Sequence, residues 1–173
     1  MESVKNRRIL IDTNILVYCG DKDWGQEAKK LLRVLKDNTN SLATSRLSSF
    51  ELIKNAIDLK LREYYIKLIN YIHQIEPEEQ ILMNGCVLYH QYFSKFPESA
   101  RKIESMDLAI GGTIIYHKEA LLLTANRKHF PMPFWKIVAQ SYLMCKKSEK
   151  YDLINVYLLE FDYSQLPKEL EIQ

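Results

Sequence analysis

The sequence predicts an α/β sandwich with a mainly parallel central sheet, and three observations carry that prediction. Ile9-Leu10-Ile11 is a short continuous apolar run ended by Asp12, Thr13 and Asn14, the pattern of a strand buried on both faces. Ala120 to Thr124, ALLLT, is a second such run. Between them lie several segments with apolar residues at helical spacing. The order β, α, β, several helices, β belongs to a sheet covered by helices.

Taken in order, Arg8 to Ile11 opens the fold, and Ile15 to Tyr18 continues it as the first turns of a helix. Ala28, Leu31, Leu32 and Leu35 place a helix over about Gly25 to Lys36. Asn38, Asn40 and Ser41 end it, and Leu42 to Thr44 forms a short second strand. Ser48 and Glu51 have capping-box spacing before a helix holding Phe50, Leu52, Ile53 and Ile57. Further helices follow over Leu61 to Ile72, over Glu79 to about Phe93, and from Ser105 onward. Gly111 and Gly112 lower helix propensity in the last of these, which suits close packing on a neighbouring strand. Beyond Phe130 the character changes. Val138 to Met144 and Ile154 to Phe161 are β-like and flank CKKSEKYD, so a hairpin or two late strands are expected there, with Lys146, Lys147 and Lys150 in a solvated turn. The whole chain, 1–173, reads as one domain, with a core over 8–130 and a β-rich extension over 131–173.

Composition narrows the class. Apolar residues make up 47% of the chain, enough for an ordinary core. No apolar run is long enough for a membrane-spanning helix. The opening MESVKNRRILID lacks the apolar stretch of a secretory signal, so the expected compartment is the cytoplasm. Cys19, Cys86 and Cys145 are odd in number and widely spaced, which excludes a disulfide framework or a C-x-x-C zinc site. The formal net charge of +2 is not that of a protein that coats DNA. It leaves room for a local basic patch beside an acidic site. His73, His90, His117 and His129 have no metal-ligand spacing and are expected in ordinary surface or packing roles.

The chemistry-bearing residues sit at the ends of these elements. Asp12 follows the first strand, Glu51 lies in the helix after the second, Asp107 is in the first turn of a helix leading into ALLLT, and Thr124 and Asn126 follow that strand. Ends of parallel strands gather along one sheet edge, where such sheets bind ligands. A helix preceding a strand runs antiparallel to it, so the Asp107 helix starts near the end of ALLLT. Asp12, Glu51, Asp107 and Asn126 are therefore expected to converge. Three carboxylates and a carboxamide suit a hard divalent cation, magnesium or manganese. Each residue also has a plainer reading: a turn or cap for Asp12, the far member of a capping box for Glu51, a helix-dipole partner for Asp107, a turn for Asn126. Arg127, Lys128 and Arg46 are candidate contacts to phosphates.

These residues carry a resemblance. ILIDTNILVY resembles the opening motif of PIN domains, especially those of VapC-type toxins. SRLSSFELIK, IESMDLAIGGTII and LLLTANRKHF are similar to their second, third and fourth motifs, in the family's order. The resemblance implies a three-layer α/β/α PIN-like sandwich and metal-dependent cleavage of single-stranded RNA by an endoribonuclease. It implies that Asp12, Glu51 and Asp107 ligate Mg2+ or Mn2+, with Thr124 orienting the cluster and Asn126 adding an amide oxygen. Many relatives have Asp where this chain has Asn126, so a second metal is held more weakly here. A toxin implies a protein antitoxin as partner, and helices between Leu52 and Ile72 offer a homodimer surface. Two other readings compete. One is a non-catalytic PIN-fold module that binds RNA or protein. The other is a phosphatase of the haloacid-dehalogenase type, in which Asp12 is the nucleophile; that chemistry usually has a second Asp where Asn14 stands.

Overall fold

The computed structural model describes residues 1, 3–132, 134–147 and 150–167. Its centre is a six-stranded sheet of β1 (Arg8–Ile11), β2 (Ser41–Ser45), β3 (His73–Ile75), β4 (Leu121–Thr124), β5 (Trp135–Lys147) and β6 (Lys150–Phe161), in the order β3-β2-β1-β4-β6-β5. β1 pairs in parallel with β2 and β4, and β2 pairs in parallel with β3. β6 runs antiparallel to both β4 and β5. The sheet is thus mainly parallel at its centre, as the sequence predicts, and the expected hairpin extends that same sheet.

The strand runs divide by residue parity. Ile9, Ile11, Leu121, Leu123, Val156 and Leu158 face one core. It is shared with α1 (Thr13–Gly20), α2 (Gly25–Asp37), α3 (Arg46–Lys54) and α4 (Leu59–Asn70). Leu10, Ala43, Leu122, Leu159 and Phe161 face the other core. That one is shared with α5 (Glu79–Lys95), α6 (Pro97–Ala100) and α7 (Ser105–Tyr116). Alternate side chains of a strand point to opposite faces, so a continuous apolar run builds two cores and the molecule has three layers. Within the second core, Trp135 is fully buried and its indole N–H donates to the Tyr92 hydroxyl.

Several expectations are corrected. The cap of α3 is Ser45, whose Oγ accepts from Leu47 N at 3.2 Å, and not Ser48. Ser48 lies inside the helix, fully buried, with its hydroxyl unpaired among the described residues. Glu51 is therefore not a capping-box member. Phe50 is 66% exposed, and Ile57, 90% exposed, lies beyond the end of α3. Gly111 and Gly112 do permit close packing, but chiefly against α5 and not a strand. A Cβ on Gly112 would stand 2.1 Å from Ile81 O, and one on Gly111 would stand 2.4 Å from a Leu88 methyl. Lys146, Lys147 and Lys150, expected in a turn, lie instead in the ends of β5 and β6, with Lys146 and Lys150 exposed; residues 148 and 149 of the expected turn lie outside the described residues. β3 and α6 have no counterpart in the sequence reading. No helix among the described residues is long and apolar enough to cross a membrane.

Candidate active site

β1 ends at Ile11, and Asp12 N still donates to Leu123 O at 3.0 Å. That bond carries the β1–β4 ladder one residue further and fixes the Asp12 carboxylate at the edge where the parallel strands end. Asp12 occupies the N-cap position of α1 but makes no side-chain cap hydrogen bond. Its Oδ2 instead accepts from Thr124 Oγ1 at 2.6 Å and from the Asn14 amide. Asn14 is tied down in turn, its Oδ1 accepting from Ala125 N at 3.0 Å. Thr124 Oγ1 also accepts from Asn126 N at 2.9 Å. Thr124 and Asn14 therefore form the seat on which Asp12 rests.

Asp107 enters from α7. It shares a capping box with Glu104, whose backbone N–H it accepts at 3.3 Å. The same Oδ2 lies 2.7 Å from His129 Nδ1. His129 closes the short 3-10 turn Arg127–His129 after β4, and its Nδ1 also lies 2.9 Å from Asn126 Nδ2. An ionised Asp107 only accepts, so Nδ1 carries the proton. The Asn126 amide then satisfies the geometry with its oxygen, not its nitrogen, toward His129.

Asp12, Asn14, Glu51, Glu104, Asp107, Asn126 and His129 line one cavity of about 230 Å³, along with Thr13, Val17, Leu52, Asn55 and Met106. Four of the lining residues are acids and none is lysine or arginine. Asp12 is 3% exposed. Burial pushes its pKa up to about 6, helped by repulsion from Asp107 and opposed by the hydrogen bonds from Thr124 and Asn14. Burial also raises the Asp107 pKa, against the pull of His129. A cavity of crowded oxygen donors without a lysine or arginine in its lining fits a hard cation by its chemistry. The donors surround the space without closing on a point: among the described residues, no three His, Cys, Asp or Glu side chains already form a metal-holding group.

The four residues expected to converge, Asp12, Glu51, Asp107 and Asn126, all line this cavity, and Thr124 lies fully buried beneath it. Arg46 does not line it; its guanidinium is paired with Glu76 at 2.7 Å. Arg127 and Lys128 border a neighbouring depression, with Arg127 5.8 Å above the Tyr157 ring. Three lining residues, Asn14, Glu104 and His129, are absent from the candidate set read from the sequence. For His129 the expectation of an ordinary role is corrected. Its place at the end of LLLTANRKHF, beside Asn126, was the available signal. Ligand spacing between histidines was the wrong test for a histidine that contacts a carboxylate.

Neither a family model nor a curated protein matches the sequence. Solved structures do match the fold. A chain of a toxin–antitoxin complex from Klebsiella pneumoniae superposes with a TM-score of 0.54 at 22% identity, covering 72% of this chain and 92% of that one. A chain of DNA-bound VapBC from Salmonella typhimurium gives a TM-score of 0.57 at 15% identity, covering 73% and 93%. A chain of VapBC-1 from nontypeable Haemophilus influenzae gives 0.50 at 26% identity, covering 71% and 90%. The VapC of such complexes is a PIN-domain toxin. The fold is that of a PIN domain. The resemblance read from the four motifs is thus borne out at the level of fold, and the carboxylate cavity lies at the strand-end edge of the PIN sheet.

Proposed function

We propose that this PIN-fold protein is a metal-dependent endoribonuclease that cleaves single-stranded RNA, and that it is the toxin of a toxin–antitoxin pair. The observation that carries the nuclease reading is the cavity: buried Asp12 and Asp107 with Glu51 and Glu104, and no lysine or arginine among its lining residues. A site of this charge is ill-suited to a polyanion unless a cation stands between them. Asp12, Asp107 and Glu51 would hold Mg2+ or Mn2+, with the Asn126 amide as a neutral donor. When bound, the cation would neutralise the phosphodiester and lower the pKa of the attacking water.

The chain's own residues do the rest. Thr124 and Asn14 fix the Asp12 carboxylate through two hydrogen bonds to one oxygen, leaving the other oxygen free of these contacts. His129 orients Asp107 in the same way. Arg127 and Lys128 border the adjoining depression and would meet phosphates flanking the scissile bond. The toxin reading is supported by the toxin–antitoxin complexes named above, and it brings a protein antitoxin as partner. A homodimer in the cytoplasm is the assembly and compartment that reading expects.

The test is incubation of purified protein with single-stranded RNA and either metal. Cleavage that is lost on adding a chelator and abolished in Asp12→Ala supports the reading. Absence of cleavage with both metals, or equal cleavage by Asp12→Ala, would overturn it.

A further inference from the structure

The β5–β6 hairpin continues past the sheet edge that carries the cavity. β4 pairs with β6 only over Leu122 to Thr124, opposite Leu159 to Tyr157. From Val156 back to Lys150, β6 pairs with β5 alone among the described residues. Because β6 runs antiparallel to β4, this two-stranded arm extends beyond the end of β4 that bears Thr124 and Asn126. Seven residues at roughly 3.3 Å each make it about 20 Å long.

The two faces of the arm differ. Leu143, Val156 and Ile154 turn toward the core shared with α2. On the opposite face, Met144 stands across from Leu153 and Lys146 across from Tyr151. Nearer the root, Tyr142 stands across from Asn155 and Gln140 across from Tyr157. Tyr142, Met144, Tyr151 and Leu153 are each more than half exposed. This face holds three tyrosines, two amides and a lysine, and no carboxylate among the described residues. At its root the Arg127 guanidinium lies over the Tyr157 ring, and Arg127 directly follows Asn126 of the cavity. Arg127 thus stands between the root of this face and the acidic cavity.

We propose that this arm is a track for single-stranded RNA, carrying the strand on one side of the scissile bond; it rests on the ribonuclease reading. Bases stack on Tyr142 and Tyr151, aliphatic Met144 and Leu153 pack between them, and Lys146, Arg127 and Lys128 follow the backbone. Exposed aromatic rings with basic side chains at either end and no acid between them suit a sequence-tolerant single-strand surface. A second copy is a poorer occupant of the free β5 edge. The register of β5 shifts between Ile137 and Ala139, and such irregularities keep an edge strand from pairing with another chain.

The experiment measures binding of a labelled single-stranded RNA to the full chain in chelator by fluorescence anisotropy. The wild type is compared with a Tyr142→Ala/Tyr151→Ala double variant, whose two side chains are exposed and so are not needed for folding. Affinity is expected to fall about 25-fold or more, the lower end for losing two stacked bases. With metal, KM for a long RNA rises by a similar factor at unchanged kcat, and an RNA too short to reach the arm is cleaved as before. Unchanged affinity and KM would overturn the track. So would a variant that alters only the sedimentation of the protein, which would make a second copy the occupant. Tyrosine-dependent RNA binding without cleavage by the wild type would sink the nuclease reading and leave the track standing. Cleavage with the same KM in wild type and variant would do the reverse.

Discussion

Replacing Asp12 with Asn should make the metal-free protein more stable at neutral pH. The Asp12 pKa rises from the ordinary 3.8 to about 6 because the carboxylate is buried and faces Asp107. Below about pH 4 the group is protonated in both folded and unfolded chains and affects neither. As the pH climbs, the unfolded chain ionises first, which favours unfolding, and the penalty is complete once the pH exceeds the folded value of about 6. At about 1.4 kcal/mol for each tenfold change in the ionisation equilibrium, that penalty is about 3 kcal/mol. The substitution keeps the contacts, since an Asn Oδ1 in place of Asp12 Oδ2 still accepts from Thr124 and Asn14. For a chain of this size the gain corresponds to about 6–12 °C in Tm. The assay is urea or thermal unfolding in chelator across a pH series from about 4 to 8, where the advantage of Asp12→Asn should grow through the window between the two pKa values. A ligand at 100 times its Kd adds about 2.7 kcal/mol to a folded state that alone binds it, so Mg2+ or Mn2+ should erase most of the gap by stabilising the wild type. A variant no more stable than wild type in chelator near pH 7.5 would refute the claim that burial and repulsion strain this carboxylate.

Three further outcomes are expected. His129→Ala should weaken binding of Mn2+ about 10- to 100-fold by releasing Asp107; His129→Asn, whose amide nitrogen sits near the former Nδ1, should recover part of it, as calorimetric titration of the metal would show. Gly112→Ala should cost at least about 1–3 kcal/mol in urea unfolding, because the added methyl meets the Ile81 carbonyl at 2.1 Å and the Gly85 nitrogen at 2.8 Å, both backbone atoms. Asn40→Ala should cost about 3 kcal/mol or more by the same assay. Buried Asn40 accepts from Arg7 N at 3.0 Å and donates to Val4 O at 3.0 Å and Leu35 O at 2.7 Å, joining the N-terminal segment to the end of α2.

What was legible in the sequence was what a local pattern can encode. Ile9-Leu10-Ile11 and Leu121-Leu122-Leu123 announce themselves as strands because every residue is buried on one face or the other. The meeting of Asp12, Glu51, Asp107 and Asn126 followed from strand direction alone, since they occupy one edge of a parallel sheet. What was not legible depends on contacts across the fold. His-Gln-Ile of β3 is three residues with no apolar run, made a strand only by pairing with β2. Ser45 and Ser48 both precede an apolar helical pattern; only the end of β2, which holds Ser45 extended so that its Oγ accepts from Leu47 N, decides that Ser45 is the cap. Gly111 and Gly112 signal a close approach without naming what approaches, and the answer lies in α5. His129 reaches Asp107 from 22 positions away along the chain, a distance no spacing rule between histidines addresses.

The charge on Asp12 is the strongest argument that the cavity is functional. The side-chain hydrogen bonds it receives, from Thr124 and from Asn14, are accepted at Oδ2, and a neutral amide oxygen would serve both. Its position at the N-cap of α1 does not explain the charge either, because no cap bond is made. The fold therefore gains nothing from a carboxylate there and carries a penalty for burying one. At position 126 the chain does the opposite and holds an amide, and that neutral residue lies against His129, the one basic group bordering the cavity. An acid at 126 would compete with Asp107 for the His129 proton; an amide leaves that proton to Asp107. Negative charge in the deep part of the site is thus concentrated on the Asp12 and Asp107 pair. On the metal-dependent reading proposed above, that arrangement would favour one tightly held cation between them over two held equally.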